Sequence, residues 1–161
     1  MTMPAEIIEC CLRNGEHARA LVRLLNAYIR DEMGGGKIIR GHRKNRLIRD
    51  LSEQPTKIIL FAKIGGVYAG LLIGFLGYST FQVCPLLNIH DLVVLSGYRR
   101  IGIAKALMLA AESRARLSGC GKFSLEVRKD NLPARKLYTS LGYGECKPAM
   151  SFWVKAGAAI E

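Results

Sequence analysis

The spacing of apolar residues along the chain predicts helices that alternate with strands. Apolar residues recur every three to four positions in three segments, which indicates amphipathic helices at 17–30, 38–51 and 103–118. Asn131 followed by Pro133 predicts the start of a fourth, shorter helix that ends before Gly142. Continuous or alternating apolar runs predict six strands, at 5–12, 57–64, 67–79, 86–95, 123–127 and 150–155.

One long apolar stretch, residues 58–78, could also be a membrane span. Lys63 lies inside this stretch, and five glycines interrupt it. A spanning helix needs about 20 predominantly apolar residues. We therefore predict two strands joined by a tight hairpin at Gly65 and Gly66, because glycine readily adopts the positive φ angles of such turns. No membrane partner is expected.

The length and charge of the chain limit the possible functions. A chain of 161 residues fits a single domain, 1–161. Its net charge of +11 favours an anionic partner, which could be nucleic acid, a membrane surface or a phosphorylated cofactor. The densest basic run, 37–49, contains six Lys and Arg residues and no acid, and we interpret it as a solvated helix face. Nucleic-acid binding through this run is the alternative. We do not expect it, because no aromatic cluster that could stack on bases accompanies the charges.

The cysteines indicate neither a disulfide framework nor a metal site. The chain has five cysteines, an odd number, and no Cys-x-x-Cys spacing. Glu6 and Glu9 interrupt any apolar segment of an N-terminal signal. We therefore expect reduced thiols, no metal and a cytoplasmic location.

The loop at 96–102 is a candidate phosphate site. A loop that enters a helix exposes backbone N–H groups without helical partners, and the positive end of the helix attracts anions. Gly102 and Ala104 are small, so a ligand could approach the backbone closely, and Arg99 and Arg100 add positive charge. No Ser, Thr, Asp or Asn immediately precedes the helix, as if a ligand caps it instead.

This loop and a later segment resemble the motifs of one enzyme family. The run Arg99-Arg100-Ile101-Gly102-Ile103-Ala104 resembles the Arg/Gln-x-x-Gly-x-Gly/Ala signature of the GCN5-related N-acetyltransferases (GNAT). The family's second motif is matched by Leu125-Glu126-Val127 followed by Asn131-x-x-Ala134-x-x-Leu137-Tyr138-x-x-x-Gly142-Tyr143. The resemblance implies an α/β (α+β) fold, with a central mixed, mostly antiparallel twisted sheet of about six to seven strands and about four flanking helices.

The resemblance also implies acetyl-coenzyme A (acetyl-CoA) as co-substrate. Backbone N–H groups of the signature loop would hold its pyrophosphate, and these belong to Arg99, Arg100, Gly102, Ile103 and Ala104. The pantetheine arm would lie along the backbones of Leu92, Val93 and Val94, and Asn131 would contact it.

Three residues are candidates for the chemical step. The resemblance makes Tyr138 the proton donor to the leaving thiolate, and a phenol with a pKa near 10 is protonated at neutral pH. His90 and Asp91 are candidates for removing the proton of the acceptor amine. Because adjacent strand residues point to opposite faces unless a bulge intervenes, we expect only one of them to face the acceptor.

The sequence says less about the acceptor and the assembly. Residues 79–91 resemble the diamine acetyltransferase branch, but His90 occupies a position where that branch has an acid, and the chain is strongly basic. We therefore expect a primary amine of a small molecule rather than a polycation. A protein amine, or a CoA-binding module without catalysis, is the alternative. The apolar segment 151–154 predicts a homodimer contact, unless Phe152 and Trp153 pack within the same chain.

Overall fold

The computed structural model describes residues 4–157. The strands are β1 (Glu6–Glu9), β2 (Lys57–Ile64), β3 (Val67–Ser79), β4 (Cys84–Val94) and β5 (Lys122–Leu125). The helices are α1 (Gly15–Ile29), α2 (Gly41–Glu53), α3 (Ile103–Leu117) and α4 (Leu132–Ser140), and a 3₁₀ turn covers Ser96–Tyr98.

The five strands form one sheet in the order β1-β2-β3-β4-β5. The first three pairings are antiparallel and the last, between β4 and β5, is parallel. Strands β2 and β3 form the predicted hairpin, and Gly65 and Gly66 turn it with φ angles of 54° and 84°. A mixed, mostly antiparallel sheet with four α-helices confirms the predicted fold class, although the sheet has fewer strands than expected.

Both faces of the sheet are covered by helices. Helix α3 packs on one face, where Leu107 and Met108 are fully buried. Helices α1 and α2 cover the other face, where Leu21 and Phe61 are fully buried. Because both faces are covered, β2 and the middle of β3 are buried on both sides, which explains their nearly continuous apolar sequence. No helix within residues 4–157 is long and apolar enough to cross a membrane.

The bounds of three strands differ from the predictions, and one of them is β5, which covers Lys122–Leu125 rather than 123–127. The first strand covers only Glu6–Glu9, and β4 begins at Cys84, so Pro85 lies inside the strand rather than in the connection before it. Proline is tolerated there because the position is close to the start of the strand.

The predicted strand at 150–155 is wrong. This segment has no regular structure, and Phe152 and Trp153 are 75% and 89% exposed. Alternation of apolar residues was sufficient to predict a strand, but an isolated segment forms one only when a neighbouring strand pairs with it. The alternative to a dimer contact, that Phe152 and Trp153 pack within the same chain, therefore does not hold for the described residues.

Candidate functional site

The sheet opens between β4 and β5. The parallel pairing begins at Leu86 opposite Lys122 and ends at Ile89 opposite Leu125. Beyond Ile89, β4 continues to Val94 with β3 on one side only. The N–H group of Leu95 donates to Ala69 on β3, whereas the carbonyl of Val94 points to the open side. Since backbone groups alternate along a strand, those of Leu92 also point to the open side.

Val93 is placed differently from its two neighbours. The same alternation directs its N–H and C=O groups toward β3, and its side chain is buried in the core on the α1 face. The side chains of Leu92 and Val94 pack on the α3 face. Of the three predicted pantetheine contacts, the structure therefore presents the backbones of Leu92 and Val94 at the open edge.

A β-bulge at His90 determines which side chains face the opening. Asp91 pairs with Ile73 and Ile89 pairs with Gly74, so His90 is an extra residue without a partner on β3. As a result, Asp91 follows Ile89 by two positions but lies on the opposite face of the sheet, toward α1. The bulge that the sequence analysis allowed for is present.

The loop after β4 and the first turn of α3, residues 99–105, carry a run of backbone N–H donors. We call this segment the donor loop. Within residues 4–157, the N–H groups of Arg100, Ile101, Gly102, Ile103, Ala104 and Lys105 make no hydrogen bond to the protein. Gly102 precedes the helix with φ of 89°, a left-handed conformation that favours glycine, and no side chain caps this helix. The side chain of Ile103 is buried, so this residue can contact a ligand only through its backbone. The arrangement can bind an anion such as a pyrophosphate.

The side chain of Arg99 connects the loop to the end of α1. Its Nη2 donates to Asp31 at 2.6 Å and its Nε donates to the carbonyl of Val94 at 3.1 Å. The Arg99 guanidinium holds the pKa of Asp31 below its usual value, and a hydrogen bond from the N–H of Met33 acts in the same direction. Arg99 therefore positions two segments of the site, while its N–H group makes only a long, 3.4 Å contact with Ser96.

Helix α4 brings the second motif to the opening. Asn131 is the N-cap of this helix, and its Oδ1 accepts from the N–H of Ala134 at 3.2 Å. The amide nitrogen of Asn131 stays available to a ligand. Seven residues later, Tyr138 packs against the core on the α3 face, and no protein group within residues 4–157 bonds to its hydroxyl. Burial raises the pKa of Tyr138 to about 12, and nearby Tyr28 adds to this effect.

Tyr28 and Tyr138 belong to opposite faces of the sheet. Tyr28 packs on the α1 face, yet it contributes to the raised pKa of Tyr138 on the other face. The pKa of Tyr28 is itself raised by burial and then by the charges of Asp91 and Asp31. Tyr28 and Asp31 were not among the predicted site residues, because nothing in the pattern of α1 separates residues at a site from ordinary residues at the end of a helix.

Asp91 and His90 differ in their surroundings. The side chain of Asp91 is 25% exposed, and burial raises its pKa although nearby His90 acts in the opposite direction. His90 is 64% exposed, and its Nδ1 lies 3.5 Å from Asp91 Oδ2. Its ring also contacts Phe75 edge-on, with centroids 6.0 Å apart. Asp91 is therefore the sheltered carboxylate at the opening, and His90 lies beside it in solvent.

Curated relatives match a little under half of the chain. A protein of Sulfurisphaera tokodaii named N-alpha-acetyltransferase is 36% identical over 76 residues, 44% of this chain and 46% of the relative. A protein of Acinetobacter genomosp. 13 named aminoglycoside N(6')-acetyltransferase type 1 is 31% identical over 71 residues, 44% of this chain and 49% of the relative. The matches thus span about half the length of these relatives.

Solved structures share the fold along nearly the whole chain. A probable acetyltransferase superposes with a TM-score of 0.80 at 18% identity, over 96% of this chain and 99% of the other. An aminoglycoside acetyltransferase from a soil metagenome, solved with sisomicin, gives a TM-score of 0.73 at 20% identity over 98% and 97% of the two chains. The family model described as acetyltransferase (GNAT) family matches residues 17–143, which include the open edge of β4, the donor loop and α4. The family predicted from the two motifs is confirmed, and the chain belongs to the acetyltransferase (GNAT) family.

Proposed function

We propose that this protein transfers the acetyl group of acetyl-CoA to a primary amine of a small molecule. The observation that carries the proposal is the run of unpaired N–H groups from Arg100 to Lys105 beside the open edge of β4. The donors suit the pyrophosphate, and the backbone groups of Leu92 and the N–H group of Val94 suit the amides of the pantetheine arm, while the Val94 carbonyl accepts from Arg99 Nε. Asn131 would add a contact through its amide nitrogen.

The side chains at the opening suit direct transfer. The amine nitrogen would attack the acetyl carbonyl carbon, and the carbon–sulfur bond would break while the Tyr138 hydroxyl donates a hydrogen bond to the charge that develops on sulfur. The nitrogen would then lose its second proton to water, and the released thiolate would take up a proton from water. An alkylammonium has a pKa near 10.4, so the acceptor must first lose a proton to a base or to water. We assign this step to Asp91, acting directly or through a water molecule. Burial raises its pKa and makes it a stronger base than an exposed carboxylate, and His90 would assist from solvent.

Cofactor binding is tested at Gly102. Glutamate at this position would bring a side chain and a negative charge next to the pyrophosphate and strain a φ of 89°. Gly119, at the other end of α3, has a φ of 78° and provides a control with similar backbone strain. We expect Gly102→Glu to abolish the thermal stabilisation by acetyl-CoA while the circular dichroism spectrum stays that of a folded protein. Gly119→Glu should retain the stabilisation, and equal responses of the two variants would contradict the proposed cofactor site.

The acceptor is tested with a panel of amines, followed by release of free thiol. The panel should include peptide N-termini, since one relative is named N-alpha-acetyltransferase. Acetyl-CoA binding without transfer to any amine would favour a binding module that has lost catalysis. Nothing in the described residues requires a metal, and its absence from the reaction stays a prediction, as does the cytoplasmic location.

We also infer that the protein forms a homodimer through its C-terminal segment. Phe152, Trp153 and Val154 are all at least 75% exposed, and β5, with β4 on one side only, is an edge strand of the sheet. An exposed strand edge and an exposed apolar segment can both be covered by a second copy of the chain. Sedimentation at micromolar concentration should give twice the mass of 17.8 kDa, and a monomer would exclude this assembly.

A further inference from the structure

A groove with a strongly basic lining lies where α1 ends and α2 begins. It has a volume of about 790 Å³, and five basic residues line it: Arg30, Lys37, Arg40, His42 and Arg43. All five are exposed, and its described lining contains no Asp or Glu. These residues include the first part of the basic run that the sequence analysis interpreted as a solvated helix face.

Hydrogen bonds within the protein hold the groove open. The side chain of Asn26 on α1 both donates to the carbonyl of Ile39 and accepts from its N–H, at 2.9 and 2.8 Å. Arg43 Nη1 donates to the carbonyls of Lys37 and Ile38, each at 3.1 Å. The loop is therefore fixed before any ligand arrives, which lowers the entropic cost of binding.

The groove and the site share the C-terminal end of α1. Arg30 directly precedes Asp31, whose carboxylate binds Arg99 next to the donor loop. Burial and then the charge of Asp91, at the opening between β4 and β5, raise the pKa of Tyr28, two residues before Arg30. The pyrophosphate, in contrast, is assigned to the donor loop itself. A molecule in the groove would thus lie beside the end of α1 that carries Tyr28 and Asp31.

The charges in this groove repel one another when it is empty. Asp31, next to Arg30 in the chain, is already paired with Arg99 and does not offset these charges. The acid nearest to Arg30 in sequence that has no ion pair within the described residues is Glu32. A ligand with negative charge would relieve the repulsion, whereas a polycationic acceptor would increase it. We propose that this groove binds an anionic group, phosphate or carboxylate, carried by the acceptor amine. This inference rests on the function proposed above.

Matched pairs of acceptors test this proposal. Glucosamine and glucosamine 6-phosphate differ by a phosphate, and cadaverine and lysine differ by a carboxylate. Binding of each is measured calorimetrically at low salt to protein saturated with CoA, so the readout does not depend on turnover. We expect the anionic member of at least one pair to bind at least tenfold more tightly, and the pair that shows the preference identifies the anion. Equal binding within both pairs would overturn the proposal.

Two charge-reversal variants locate the effect. Lys37→Glu/Arg40→Glu changes the groove, and Arg19→Glu/Lys44→Glu makes the same charge change at a second basic surface of α1 and α2. We expect the first variant to lose the preference for the anionic acceptor and the second to keep it. If the first variant instead weakens CoA binding and leaves the acceptor preference intact, the anion belongs to the co-substrate and the proposal is wrong. Equal responses of Gly102→Glu and Gly119→Glu to acetyl-CoA would instead count against the proposed function itself.

Discussion

Replacement of Tyr138 by phenylalanine separates chemistry from folding. The change keeps the ring and its packing on the α3 face but removes the hydroxyl. Because no described protein group bonds to this hydroxyl, its removal leaves no buried partner without a hydrogen bond. The free energy of unfolding should therefore change by less than about 0.5 kcal/mol.

The magnitude of the catalytic effect follows from the pKa of Tyr138. Burial raises this pKa to about 12, whereas a thiol has a pKa of about 8.5. Full proton transfer to the thiolate would be uphill by about 3.5 units, or roughly 5 kcal/mol. The hydroxyl therefore acts by hydrogen bonding to charge that develops on sulfur. Loss of one such donor typically costs about 10²–10³ in turnover, or about 2.7–4 kcal/mol.

Tyr143 provides the matched control for this experiment. Its ring lies 6.1 Å from that of Tyr138, but its hydroxyl donates to Glu112 Oε1 at 2.8 Å. Tyr143→Phe should therefore lower stability by about 1.5–3 kcal/mol, the usual contribution of a hydrogen bond to a charged group, and leave turnover nearly unchanged.

The assay is thiol release under single-turnover conditions, with acetyl-CoA affinity and melting temperature measured in parallel. Tyr138→Phe should reduce the rate and leave both other quantities near wild type, since the hydroxyl acts in the transition state. A Tyr138→Phe protein with a wild-type single-turnover rate would refute the reasoning. So would a pattern in which Tyr143→Phe shows the larger loss of rate.

Two further predictions concern the carboxylates at the opening. Asp91→Asn should lower kcat/KM by about 10²–10⁴ and remove the decline of activity at acid pH, because the base works only above its raised pKa. His90→Gln should lower kcat/KM less. If a pH–rate profile shows the reverse ranking, the base is His90. Asp31→Asn should lower the melting temperature at neutral pH. Because Arg99 lowers the pKa of Asp31 below 3.8, that stabilisation is present above 3.8 and is lost as pH falls through the lower, folded-state value. A melting difference that persists at the lowest pH would exclude the ion pair as its source.

Local sequence patterns were sufficient to predict several elements, including the loop and helix of the candidate cofactor site. Helical spacing in 103–118 and the Gly102 motif before it depend on neighbouring residues along the chain, and so does the hairpin at Gly65 and Gly66. Such local patterns encode backbone conformation directly, and α3, the donor loop and the β2–β3 hairpin match the predictions. The two motifs were also sufficient to predict the family.

Tertiary structure decided where strands pair and which side chains meet. Segment 150–154 alternates as a strand does, yet it is unpaired, because pairing depends on a partner that lies elsewhere in the chain or in another molecule. The bulge at His90 reverses the faces of the residues that follow it, and only the pairing of β3 with β4 shows this. The contact of Arg99 with Asp31 joins positions 68 residues apart in the chain, and no local sequence pattern predicts it. The basic residues 37–43 could be read from the sequence as charges, but only the folded loop arranges them around one groove, because the bonds of Asn26 and Arg43 fix its backbone.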